Sequence, residues 1–261
     1  MSSEYDSFRM ECDNEIEAQG NDKEFLDVTK AWFTRANRSK YSYHFEWLGR
    51  PVIQYPQDLM AMQEIIWRVK PDLIIETGIA HGGSLIFSAS MLQLLDSCET
   101  PPATHDNDET VTSRLVLGID IDIRNHNQRA LDNHPMSRGI KMIQGSSIDP
   151  DIIEQVHDVA SAYKNILVCL DSNHTHKHVL AELEAYAGLV TAGSYCVVFD
   201  TVIDDMPPDT FSDRPWGPGN NPKTAAKEFL KNHVEFEIDR SVQNRYMITA
   251  APDGFLRRVP V

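Results

Sequence analysis

The chain has 261 residues, 24 of them basic and 39 acidic, for a net charge of -15 at pH 7. Such a balance repels nucleic-acid phosphates and anionic membrane surfaces, so neither is an expected partner. Hydrophobic residues make up 41%, enough for a sizeable core, yet no apolar run approaches the roughly 20 residues of a membrane span.

Residues 1–21 are acidic and polar, without the basic-then-apolar pattern of a secretory signal. The stretch to about Glu24 lacks periodicity and is expected to be mobile or loosely docked. Glu24 to Asn37 fits a helix. Tyr41 to Pro56 is an aromatic arm holding Tyr41, Tyr43, His44, Phe45, Trp47 and Tyr55. Packing against the domain or a second subunit is expected for most of these residues, with lining of an acceptor pocket as the alternative. Residues 1–56 therefore read as an extension and arm, and 57–261 as the main domain. The arm makes a homo-oligomer an expectation.

Gln57 to Val69 places Leu59, Met62, Ile65, Ile66 and Val69 at helical spacing. Short apolar strands are predicted at Leu73–Glu76, Arg114–Ile119, Ile140–Ile143, Ile166–Leu170 and Tyr195–Phe199. Helices are predicted between them at Ser84–Leu95, Asp149–Ala162, Thr175–Leu189 and Pro222–Asn232. Ser97 to Ser113 reads as a polar surface loop. Val234–Ile238 and Tyr246–Ala250 are expected to pair as antiparallel strands around a turn at Asp239–Asn244. This alternation predicts an α/β fold, a parallel sheet with helices on both faces. Cys12, Cys98, Cys169 and Cys196 form no metal-binding spacing and read as thiols of a reducing, cytoplasmic setting.

Ligands of such sheets bind at the carboxyl ends of the strands, near the point where strand order reverses. The first strand ends Glu76-Thr-Gly-Ile-Ala-His-Gly-Gly-Ser84. Gly78, Gly82 and Gly83 permit a sharp turn and close backbone approach to a ligand, and Ser84 is placed to cap the next helix. The turn is neither GxGxxG nor a phosphate-binding loop with Lys. The second strand ends Gly118-Ile-Asp120, an acid suited to a pair of ribose hydroxyls. The third ends in Gly145-Ser146-Ser147, placed to meet an adenine.

These runs, with Leu170-Asp-Ser-Asn-His174 and Arg214-Pro-Trp-Gly-Pro-Gly-Asn-Asn-Pro222, resemble class I S-adenosylmethionine (SAM)-dependent methyltransferases. Among these the chain is similar to the cephalosporin hydroxylase/rhamnosyl O-methyltransferase family, from about Tyr41 to Val259. The resemblance implies a Rossmann-like class I methyltransferase sheet and SAM as methyl donor. It puts Glu76, Gly78 and Ser84 around the methionine half and Asp120 on the ribose, with Ser146 and Asp171 completing the cofactor set. It also implies a sugar, glycan or natural-product hydroxyl as acceptor.

Asp171 and Asp200 follow the fourth and fifth strands on the cofactor rim. Two converging carboxylates suit a hard divalent ion, Mg²⁺ above all. A bound cation orients a hydroxyl and lowers its pKa, and a nearby base removes the proton. The layout is similar to catechol O-methyltransferase: Asp171 and Asp200 match its two acids, His174 stands in the place of the catalytic Lys, and Thr201 in that of the Asn ligand. The cephalosporin hydroxylase relative has Glu-Asp where this chain has Phe199-Asp200, which leaves a third ligand open among Asp204, Asp205 and water. His176 and His178 read as structural. The loop from Asp209 to Pro222 supplies Arg214, Trp216 and Asn220 as acceptor contacts, or else is a rigid cap on the following helix. A non-catalytic SAM-binding accessory subunit and an NAD-dependent oxidoreductase are the rival readings.

Overall fold

The computed structural model describes residues 2–99 and 114–260. The N-terminal region is not loose over this span. It forms α1 (Ser2–Asn21) and α2 (Lys23–Asn37), and the end of α1 is docked. Gln19 Nε2 donates to the Asn244 and Arg245 carbonyls. A Cβ on Gly20 would lie 2.1 Å from the Asn244 side chain.

The arm follows as the hairpin β1 (Phe45–Trp47) and β2 (Arg50–Val52). Then come α3 (Pro56–Val69), β3 (Leu73–Thr77), α4 (Gly83–Glu99), β4 (Leu115–Asp120), α5 (Asn125–Asp132) and β5 (Ile140–Gln144). The second half runs α6 (Pro150–Ala160), β6 (Ile166–Leu170), α7 (His176–Tyr186), β7 (Tyr195–Val198), α8 (Pro222–Phe229), β8 (Phe236–Ile238), α9 (Arg240–Tyr246) and β9 (Phe255–Arg258). α4 continues to Glu99, through the first residues of the polar loop expected from Ser97; the rest of that expectation, to Ser113, lies outside the described residues.

The seven-stranded sheet has the order β5-β4-β3-β6-β7-β9-β8. Its first five strands are parallel, β9 runs antiparallel to β7, and β8 pairs antiparallel with β9. The antiparallel pair exists, but β8 pairs with β9 and not with Tyr246–Ala250. Asp239 caps α9 by accepting from Ser241 N, so the expected turn is a helix. Met247 then takes φ +58°, which a continuing strand cannot hold. Alternation along β3 splits the core: Ile74 joins the cluster under α3 and α4, while Leu73 and Ile75 join that under α6, α7 and α8.

The arm is part of this packing. Trp47 Nε1 donates to Ser90 Oγ at 3.0 Å, and its ring meets Phe87 edge-on at 5.0 Å. A Cβ on Gly83 would stand 2.2 Å from the Pro51 carbonyl oxygen. Only glycine lets β2 lie this close to the start of α4. Gly83→Ala should therefore cost about 1–3 kcal/mol by overpacking, read as a lower urea midpoint. Gly188→Ala, which enters open space, should cost far less; equal losses would show that the arm contact is idle.

Asp58 of α3 is 1% exposed and accepts from Ala250 N and Thr249 Oγ1. Burial pushes its carboxyl up to about 7 from the ordinary 3.8, against those two hydrogen bonds. Between these values the folded chain keeps a proton that the unfolded chain has lost, so stability falls as pH rises through the window. Asp58→Asn should flatten that slope relative to the parent chain in unfolding measured from pH 4 to 7. An unchanged slope would remove Asp58 as its source.

Candidate active site

Strand order reverses between β3 and β6, and the site sits over their carboxyl ends. After β3 the chain turns through Gly78 at φ +90°, Ala80 at +47° and Gly82 at +81°. A Cβ on Gly78 would be 2.1 Å from the Asp171 carbonyl oxygen, so the β3 and β6 ends touch through bare backbone. Glu76 is buried and accepts from the Ser84 hydroxyl; burial pushes its carboxyl up to about 7. Asp120 braces the same turn, accepting from Ile79 N at 2.8 Å and Ala80 N at 3.2 Å. Ser146 lies one strand further out, its carbonyl accepting from Asp149 N.

Asp171 and Asp200 leave the neighbouring strands β6 and β7. Asp200 adopts φ +56°, a left-handed conformation that Asp tolerates better than most residues. One ligating atom from each of Asp171, His174 and Asp200 lies within 4.8 Å of the others. His174 Nε2 is 3.3 Å from Asp200 Oδ2, and Gln54 Nε2 donates to Asp171 Oδ2 at 3.0 Å. Burial first, then the charges of Asp200 and Glu76, push the Asp171 carboxyl well above the usual carboxylate range. Among the described residues no Lys or Arg pairs with Asp171 or Asp200 within 4.0 Å. Crowded carboxylates without a protein cation are what a divalent ion would offset, so the donor set fits one.

The cluster floors a cavity of about 460 Å³. The arm supplies Lys40, Tyr43, Gln54 and Tyr55 to one wall, and the loop after β7 supplies Phe211, Arg214 and Trp216 to the other. Trp216 stands edge-on to the His174 ring at 4.8 Å and 89°, and Arg214 lies over Trp216 at 5.5 Å.

Of the expected residues, Glu76, Asp120, Ser146, Thr201 and Asn220 do not line this cavity. Thr201 is fully buried and its hydroxyl donates to the Pro252 carbonyl at 2.7 Å. Asn220 is engaged with backbone: its Oδ1 accepts from His176 N and its Nδ2 donates to the Pro215 carbonyl. His176 joins α7 to α8 through Thr224 and Glu228, while His178 meets Ser147 and Glu182. Gln54 and Lys40 carried no motif in the sequence; only their place within or beside the aromatic arm hinted at the pocket.

The family model RMNT_CmcI, described as Rhamnosyl O-methyltransferase/CmcI, matches residues 39–259. The chain is 30% identical over 208 residues to a rhamnosyl O-methyltransferase of Mycobacterium tuberculosis, covering 77% of this chain and 73% of that protein. Its counterpart in Mycobacterium leprae is 29% identical over 213 residues, 81% and 82% of the two chains. A solved structure of CmcI with Mg and SAM superposes with a TM-score of 0.54 at 18% identity, over 84% of this chain and 78% of that one; this likeness concerns the fold. The chain belongs to the rhamnosyl O-methyltransferase/CmcI family.

Proposed function

We propose that the protein is a SAM- and divalent-metal-dependent O-methyltransferase acting on a sugar hydroxyl. The convergence of Asp171, His174 and Asp200 beside the glycine turn, at the floor of an open cavity, carries this reading. The names of the family and its relatives support the acceptor class, and the Mg- and SAM-bound CmcI supports the cofactors by analogy.

Asp171 and Asp200 would hold the cation, with water completing its shell. When bound, it supplies charge that orients the acceptor hydroxyl and lowers its pKa. His174 takes the hydroxyl proton, and Asp200, 3.3 Å from Nε2, steadies the imidazolium that results. The acceptor oxygen forms its bond to the methyl carbon as the carbon–sulfur bond breaks, and S-adenosylhomocysteine leaves. Glu76 and Ser84 meet the methionine end of the donor, and Asp120 its ribose. Trp216 offers a flat face to the sugar and shields His174 from water. Methyl transfer needs reactants aligned more than it needs covalent help from the protein.

Methyl transfer should stop in EDTA and return with Mg²⁺. Asp200→Asn should abolish the metal requirement together with activity. His174→Ala should lower kcat by about 10²–10⁴ while calorimetric SAM binding survives, and Asp120→Ala should weaken SAM binding at least tenfold. Full activity in EDTA, or in His174→Ala, refutes the mechanism.

No described helix is long and apolar enough to cross a membrane. A cytoplasmic homo-oligomer is our reading of its state. The hairpin is spent on α4, but Tyr5, Phe8 and Met10 of α1 remain exposed and suit a second copy. Light scattering giving a monomer at micromolar concentration rejects that reading.

A further inference from the structure

Residues 28–45 hold Lys30, Arg35, Arg38 and Lys40 and not one Asp or Glu, within a chain of net charge -15. The end of α2 carries this segment to the mouth of the active site. Arg35 and Arg38 line a cavity of about 510 Å³ together with Trp32, Ala36, Ser39 and Tyr41. Asn37 and Lys40, interleaved with them, line the acceptor cavity, so the two cavities share one wall. Across the acceptor cavity stands Arg214.

These cations are unspent. Among the described residues no carboxylate lies within 4.0 Å of the charged nitrogens of Arg35, Arg38 or Lys40. Several arginines elsewhere are engaged: Arg114 bridges Asp96 and Glu99, Arg245 binds Glu64, and Arg50 binds the His81 carbonyl and Asn127. Three cations without carboxylate partners, gathered in a segment free of acidic residues beside the cavity, present a local field for an anion even in an acidic chain. Arginine forks suit phosphate oxygens. Trp32 and Tyr41, edge-on at 5.2 Å, add aromatic surface of the kind on which a nucleobase stacks.

We infer that the acceptor is a nucleoside diphosphate sugar. Its sugar reaches the Asp171–Asp200 floor, its diphosphate meets Arg35, Arg38 and Lys40, and its base lies against Trp32 and Tyr41. This rests on the sugar O-methyltransferase reading and names the substrate class of the same site.

The test titrates the full chain, in EDTA and without SAM, with dTDP, UDP, inorganic pyrophosphate and methyl α-L-rhamnoside. EDTA removes binding through a metal, so the readout does not depend on the catalytic floor. At least one nucleotide should bind and raise the melting temperature, weaken with added salt, and lose at least tenfold in affinity in Arg35→Ser/Arg38→Ser. Both side chains are exposed, so the double variant should fold; its circular dichroism and melting without ligand check this. The inference is overturned if neither nucleotide binds, if the double variant binds equally well, or if pyrophosphate binds as tightly as the nucleotides. Methylation of a neutral glycoside without nucleotide binding would sink this inference and leave the methyltransferase reading standing. Nucleotide binding with no methyl transfer to any sugar would sink the methyltransferase reading and the acceptor assignment with it, leaving a nucleotide site alone.

Discussion

Like charge drawn into one half-buried corner is the constraint around which this protein is arranged. Asp171 and Asp200 approach each other beside Glu76, with His174 and the Gln54 amide as their polar partners. In a low-dielectric site, such a pair pushes at least one carboxyl toward its protonated form. The sheet does not relax this crowding; it enforces it. Backbone contact between Gly78 and Asp171 locks β3 to β6, and the left-handed turn at Asp200 aims the second carboxylate inward. Strain and repulsion collected at one point are a cost to stability, and they underlie the proposed metal site.

Around that floor the walls have a different origin. One comes from the arm before the sheet and the other from the loop after β7. The arm is fixed by Gly83 and Ser90 of α4, and the loop by buried Asn221, whose amide donates to Asp204 and to the Gly217 carbonyl. Trp216 can therefore hold its edge-on place beside His174 even though it belongs to no regular element.

The parallel strands were legible because each is a short apolar run, and Ile166–Leu170 was read to the residue. The family was legible because the glycine turn and the strand-end acids stand in fixed order. What escaped was set by tertiary contact. α1 looked loose in isolation, since its docking partner, Asn244, lies at the far end of the chain. The final strand was misplaced because Tyr246–Ala250 has strand-like residues but is turned aside at Met247, and Asp58 takes its backbone donor at Ala250. Thr201 stood beside Asp200 in sequence, yet the left-handed residue between strand and 3-10 turn sends it toward Pro252 instead. Gln54 reaches Asp171 across a sequence separation that no local pattern reports.

The separation of floor from walls bears on how such a protein diversifies. The glycine turn and the strand-end acids are fixed by the sheet, where a single added methyl group at Gly78 collides with backbone. The cavity walls lie on an arm and a loop, and the positions at the mouth, Arg35 and Arg38 at the end of α2 and Arg214 in the loop, are exposed and can change without repacking the core. Descendants of one ancestral chain can thus exchange acceptors by drift at the rim while the chemistry beneath is inherited intact, so divergence in specificity should outpace divergence in mechanism.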